Sequence, residues 1–271
     1  MLYSPDQTAA FPSVSFRYLR TELREHVLTI TLNRPEKKNA LSPGLLHELA
    51  FALAYAHYER SVRVVVLAAA GDTFCAGMDL KSLTEGSSEP ETVPPPAEPV
   101  RLGELLAGLH KPCVGRVQGP VYAGGFLLVG GCTHVIAADT VSFSLPEVKR
   151  GLFPFQVMAS LLEIMPPRAV LDLCLRARTI GAGEARRLGL VSEVVAAEQL
   201  DAAVSALTDE LKQHSPTAQQ AGLKAYQELK RLSRDQYQPY LHAQFQAIQQ
   251  TPDAREGMAA FLEKRPPRWE D

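Results

Sequence analysis

Several signatures of a chemical site are missing from this chain. Its four cysteines, Cys75, Cys113, Cys132 and Cys174, are widely spaced and form no C-x-x-C pair, so neither a zinc site nor a redox motif is indicated. Such usage suits a reducing compartment, with the thiols buried as small apolar residues. No apolar run approaches the ~20 residues needed to span a bilayer. Met1 to Ser13 is polar and carries Pro5 and Pro12, with no basic start leading into an apolar run, so it does not read as a signal peptide. Neither sign of charge is in excess. A formal net charge of -2 provides no broad field for nucleic acid or an anionic membrane. These absences point to a cytoplasmic protein. G-x-G-x-x-G, the P-loop, G-x-S-x-G and H-E-x-x-H are absent too, and no two histidines lie at ligand spacing, which leaves dinucleotide binding, nucleotide hydrolysis, a serine triad and a metal site unsupported.

What is present is an ordinary globular composition over 271 residues, enough for one sizeable core and a smaller appended piece. His26 to Leu32 (HVLTITL) is β-branched and alternating, which predicts a strand. Ser42-Pro43 reads as an N-cap and first helical residue, leading into an apolar stripe through Tyr58. Val62 to Ala68, apolar apart from Arg63, reads as a strand buried on both faces. Gly71 to Met78 reads as a turn. Glu85 to Pro99, rich in Pro, Ser and Glu, reads as a mobile surface loop. Strands at Val114–Val117 and His134–Ala137 flank a small helix opened by Gly124. Alternation of this kind predicts parallel sheets with crossovers. From Ala197 to Glu263 the pattern changes to consecutive helices, with Ser215-Pro216 and Thr251-Pro252 as helix starts and Arg265 to Trp269 as a tail. The division expected is 1–196 and 197–271.

Four segments remain as carriers of chemistry: Leu32-Asn33-Arg34-Pro35, Phe74 to Leu80, Gly119 to Gly125, and Leu145-Pro146-Glu147. Each alone is a common turn or loop. In this order and spacing they resemble the crotonase superfamily of enoyl-CoA hydratases and isomerases. The likeness runs from about Phe16 to Trp269. It rests on LNRPEKKNALS at 32–42, FCAGMDLK at 74–81, KPCVGRVQG at 111–119, LPEV at 145–148, ARRLGLVSEVV at 185–195 and EGMAAFLEKR at 256–265.

The resemblance implies an α/β fold, a spiral of ββα units followed by a C-terminal helical region that packs subunits into trimers, often paired as hexamers. It also implies an acyl-CoA or enoyl-CoA substrate in fatty acid metabolism, with coenzyme A carried as part of the substrate and no separate cofactor or metal. By residue matching, the backbone N–H groups of Ala76 and Gly124 take the two oxyanion-hole positions. Proton abstraction beside a thioester carbonyl drives charge onto its oxygen, and removing one preorganised donor typically raises the barrier by about 3–4 kcal/mol. Ala76, Gly77, Met78 and Asp79 would meet the coenzyme. Among nearby basic residues, Lys37 and Lys264 are the phosphate candidates, with Arg34, Lys38 and Lys81 also on the matching turns.

Two departures bear on the reaction. Hydratases of this family use two glutamates, one three residues after the second oxyanion glycine and one in the later Pro-Glu segment. Here the first position is Leu127, which cannot transfer a proton, while the second is retained as Glu147. A single glutamate suits an isomerase that moves a proton between C2 and C4 through one enolate. Lys149 and Arg150 follow at once, so a surface ion pair is the competing reading of Glu147. The second departure is Phe155-Gln156-Val157-Met158, where the family often has glycines. Together with Phe126, these bulky residues are expected to reshape the acyl pocket. Hydration, another acyl-CoA lyase or hydrolase reaction, and acyl-CoA binding without turnover are the alternatives.

Overall fold

The computed structural model describes residues 1–85 and 90–269. The chain opens with a short helix, α1 (Pro5–Thr8), capped by Ser4. Strands β1 (Leu19–Arg24) and β2 (Val27–Leu32) then form an antiparallel hairpin. Glu25 and His26 both have positive φ, as a two-residue turn of the favoured hand requires, so the strand expected from His26 begins one residue later. Helix α2 (Pro43–Tyr58) starts as its sequence implies, with Ser42 Oγ accepting from the Leu45 N–H at 3.3 Å and Pro43 in the first turn. Strand β3 (Val64–Ala69) is buried at every residue, as its unbroken apolar run predicts.

There follow α3 (Leu80–Glu85), α4 (Leu102–Leu105), β4 (Cys113–Val117), β5 (Val121–Tyr122), α5 (Gly125–Gly131), β6 (His134–Ala138) and β7 (Ser142–Ser144). The chain continues through α6 (Phe155–Leu161), α7 (Pro167–Arg176), β8 (Thr179–Gly181), α8 (Ala182–Arg187) and β9 (Glu193–Val195). It ends in α9 (Leu200–Lys212), α10 (Pro216–Leu229), α11 (Arg234–Ile248) and α12 (Pro252–Glu263).

Two sheets organise these elements. The larger has the order β1-β2-β3-β4-β6-β9 and is parallel beyond the first hairpin. The smaller has the order β5-β7-β8. Alternate residues of β2 (Leu28, Ile30 and Leu32) are fully buried and join β3, α2 and α5 in one core. Among the described residues, no helix is long and apolar enough to cross a membrane.

Consecutive helices follow residue 197, and of these α9 packs on β3, β4 and β6 and so covers the main sheet. Helices α10, α11 and α12 pack on one another instead. Ser215 and Thr251 cap α10 and α12 by accepting from Ala218 and Ala254 N–H groups. The tail is tied down: the Trp269 indole donates to the Gln213 carbonyl at 2.7 Å, and Arg63 donates to the Trp269 carbonyl.

The loop expected to be mobile, 85–99, is partly fastened. Residues 86–89 lie outside the described residues. Beyond them Thr92 donates to the buried Glu48 carboxylate, Glu91 pairs with His47 at 3.1 Å, and Tyr3 donates to the Pro94 carbonyl at 2.8 Å. Glu48 also accepts from the Arg17 and Tyr18 N–H groups. A single carboxylate on α2 thus joins the N-terminal segment to this loop, a role that composition could not reveal.

Candidate active site

Three segments leave the same end of the small sheet. Cys75 bridges Val121 in parallel, and Val121 pairs with Phe143 in parallel. Met78, Gly124 and Glu147 each follow their paired residue by three or four positions. The Ala123 N–H donates to the Ser144 carbonyl, which holds the Gly124 turn against the start of the Glu147 segment. Segments far apart in the chain thereby converge.

The backbone donors at this convergence are Met78 and Gly124. Leu41 N–H donates to the Gly77 carbonyl at 2.8 Å, and Asp79 N–H donates to the Leu41 carbonyl at 3.0 Å. This pairing leaves the intervening Met78 N–H turned away from Leu41. A Cβ built on Gly124 would lie 3.7 Å from the Met78 nitrogen. Neither the Met78 nor the Gly124 N–H has an acceptor among the described residues. Gly124 is the N-cap of α5, where N–H groups are free of intrahelical partners. The matching of Ala76 to a donor position is corrected here. The Ala76 N–H is spent on the Lys38 carbonyl at 3.0 Å, and a donor already engaged inside the protein cannot serve a ligand oxygen.

Gly77 makes this geometry possible. Its φ is +90°, and a Cβ there would fall 2.6 Å from the Ala123 Cβ. Only glycine lets the two turns approach so closely without strain. Asn39, which sequence reading passed over, supports the turn from below. Fully buried at φ 52°, it accepts from the Arg34 N–H and donates to the Ala70 and Thr73 carbonyls. Asn is among the few residues that tolerate this conformation.

Asp79 and Arg34 do not present themselves to a ligand. They pair with each other at 2.9 Å and are largely buried. Arg34 also donates to the Ala40 carbonyl and lies over the Tyr18 ring. The Arg34 guanidinium and the Ser82 hydrogen bonds outweigh burial and hold the Asp79 carboxyl below its usual range. The Asp79 side chain, expected to meet the coenzyme, thus forms a clasp between two loops. Lys37 is exposed on the turn Pro35–Lys37. Lys264, in the left-handed conformation after α12, is exposed as well, and α12 packs on α10. No hydrogen bond or ion pair among the described residues joins Lys264 to the Met78–Gly124 site.

Glu147 opens a 3₁₀ turn, Glu147–Arg150, directly after β7. Its Oε2 is buried with no hydrogen-bond partner. Burial is the main cause that raises its pKa, against smaller opposing effects from its own backbone N–H and from Arg150. No ion pair to Lys149 or Arg150 forms among the described residues, contrary to the surface-pair reading. A carboxylate whose pKa burial has raised is a stronger base than a solvated one. The charge of Glu147 and, above all, burial push the Cys174 thiol on α7 up to about 11. A thiol so protonated presents no negative charge there.

Leu127 follows Gly124 by one helical turn, its N–H donating to the Gly124 carbonyl at 3.1 Å. It is nearly buried and supplies no ionisable group. The bulky residues expected to narrow the site behave differently. Phe126 faces the core, edge-on to Phe143 at 5.9 Å. Phe155 is 66% exposed and leans on Phe153.

The fold and these turns define a crotonase-type protein, and comparison with known proteins agrees. The family model described as Enoyl-CoA hydratase/isomerase matches residues 22–271. The chain belongs to the enoyl-CoA hydratase/isomerase family. It is 32% identical over 253 residues to enoyl-CoA hydratase EchA19 of Mycobacterium tuberculosis, covering 92% of this chain and 95% of the relative. It is 34% identical over 261 residues to carnitinyl-CoA dehydratase of Salmonella arizonae, covering 93% and 97%. Among solved structures, an enoyl-CoA hydratase from Mycobacterium smegmatis superposes with a TM-score of 0.83 at 30% identity, over 93% of this chain and 99% of the other.

Proposed function

We propose that the protein is an enoyl-CoA isomerase in which Glu147 alone moves the proton. The carrying observation is the pairing of a buried, unpartnered Glu147 carboxylate oxygen with an aliphatic Leu127 one turn beyond Gly124. The thioester oxygen of a 3-enoyl-CoA would lie against the Met78 and Gly124 N–H groups. Glu147 removes a proton from C2, the electron pair passes into the thioester as an enolate, and the two N–H groups hold the resulting charge. The same carboxyl returns the proton at C4, which leaves the double bond at C2 and restores Glu147.

The test is conversion of a 3-enoyl-CoA to its 2-enoyl isomer by the wild type and by Glu147→Gln. Equal rates would sink the assignment of the base.

A second reading, hydration, is favoured by the names of the hydratase and dehydratase relatives. Water addition profits from two carboxylates, and Leu127 removes one. Rapid hydration of crotonyl-CoA by the purified protein would establish that reading. Acyl-CoA binding in calorimetry without turnover on either substrate would instead favour a binding protein.

A trimer or hexamer in the cytoplasm accompanies this proposal. Met258, Phe261 and Leu262 on α12 are 65–79% exposed, an apolar face of the kind that self-association covers. The free thiols of all four cysteines accord with a reducing compartment. Light scattering on the purified protein measures the assembly.

A further inference from the structure

A cavity of about 320 Å³ is lined by Leu127, Gly130 and Gly131 of α5 and by His110 and Lys111. Its course follows from α5. Gly124, Leu127 and Gly130–Gly131 share one face of that helix, and Gly131 lies about 10 Å along the axis from Gly124. The far end of α5 closes on the start of β4: the Thr133 N–H donates to the Cys113 carbonyl, and the Cys113 N–H donates to the Thr133 hydroxyl, each at 2.9 Å. Lys111, two residues before Cys113, thus stands at the opposite end of the helix from the oxyanion donors. The walls between are small. A Cβ at Gly103 would lie 3.1 Å from Ser160 Oγ and 3.7 Å from Leu127 Cδ2, and one at Gly131 would collide with Leu106.

The distal wall is charged. Lys230 and Glu163 satisfy each other there. Among the described residues Lys111 has no carboxylate partner: its Nζ donates to the Glu59 carbonyl at 2.6 Å, which accounts for one of three donors. His110, at a left-handed φ of 53°, lines the same end and contacts His57 edge-on at 5.5 Å.

We infer that the acyl chain runs from the Met78–Gly124 donors past Leu127 along α5, and that Lys111 at the far end selects chains that terminate in a carboxylate. The inference rests on the acyl-CoA reading of the site but not on which reaction follows. An alkyl terminus would leave the half-buried ammonium to a single carbonyl, whereas a terminal carboxylate gives it a charge-assisted partner. Burial lowers the Lys111 pKa to about 8, with Glu59 opposing. The other groups facing this end are His57 of α2, His110, Lys224 and Glu228 of α10, and the Lys230–Glu163 pair. The charge is therefore present at neutral pH and lost in alkali.

The test is calorimetry on the full chain with two saturated acyl-CoAs of matched medium chain length, one ending in a methyl group and one in a carboxylate. The carboxylate-ended ligand should bind about tenfold more tightly near neutrality, the effect of a hydrogen bond to a charged group. Its advantage should shrink as pH rises above the Lys111 value of about 8. Lys111→Gln should erase most of the ratio, while the wild-type pH series provides the same readout without any substitution. Equal affinity of the two ligands for the wild type, or a ratio indifferent to both pH and Lys111→Gln, overturns the inference. Failure of both acyl-CoAs to bind overturns the acyl-CoA reading along with it.

Discussion

Leu41 and Met78 lie side by side as residues of adjacent parallel strands do, and this pairing aims the Met78 N–H. The bonds from Leu41 to Gly77 and from Asp79 to Leu41 consume the groups on either side and leave Met78 facing Gly124. Ala76, two residues earlier and on the same edge by parity, is turned toward Lys38. The partner of each decides which N–H is left free.

Gly124→Ala separates donor geometry from folding. Gly124 has φ −54°, and its added methyl would meet only ordinary contacts, 3.5 Å or more from Leu41 and Met78. The methyl would nevertheless stand over the space between the two N–H groups. Stability within about 1 kcal/mol of wild type is expected, with kcat reduced roughly 100-fold, the scale of losing one oxyanion donor. Thermal melts and turnover of a 3-enoyl-CoA read the two effects separately.

Gly77→Ala should do the reverse. Its positive φ and the 2.6 Å approach to Ala123 force strain on the native state. A loss of about 2–3 kcal/mol in denaturant unfolding is expected. Full stability in this variant would show that the turns do not require the close approach.

On the proposed role of Glu147 as proton carrier, Glu147→Gln should lower kcat roughly 100-fold or more. It should also alter stability with a definite sign. Burial raises the folded pKa of Glu147 above its ordinary value, so between those two values the folded state holds more protons than the unfolded state. Stability from this group is therefore present at low pH and declines as pH rises through that window. Glutamine does not titrate, so the variant should melt higher than the wild type near neutrality, and the difference should vanish in acid. Melts across pH check this.

Leu127→Glu tests the missing carboxylate. It restores an ionisable group one turn after Gly124, and crotonyl-CoA hydration should rise at least roughly tenfold if a second acid/base group is what the site lacks. The cost is a charge at a nearly buried position, so a lower melting temperature should accompany the gain. An unchanged hydration rate in a folded variant would show that Leu127 does not decide the reaction.

Asn39→Ala should destabilise the chain by about 3 kcal/mol, since it strands the Arg34 N–H and the Ala70 and Thr73 carbonyls and places alanine at positive φ. Chemical denaturation measures it.

The secondary structure was legible where local chemistry decides it. The apolar run of β3, the Ser42-Pro43 start of α2, and the Ser215 and Thr251 caps all depend on neighbours in sequence. The 86–89 stretch of the long loop lies outside the described residues, while the fastening of Thr92 and Glu91 to α2 depends on partners more than forty residues away. Cys113 and Cys132, apart in sequence, come to 3.7 Å for the same reason.

From the sequence alone came the family, the place of Gly124 in its turn, the survival of Glu147 and the absence of a carboxylate at Leu127, because those are matters of residue type and spacing. Only the tertiary structure decided that Met78 rather than Ala76 offers the free N–H, that Asp79 serves Arg34, and that Phe126 turns into the core while Phe155 is exposed beside Phe153. Each of these depends on where a bond or side chain points once distant segments pack together. Direction in space is set by the fold, and a motif carries only order.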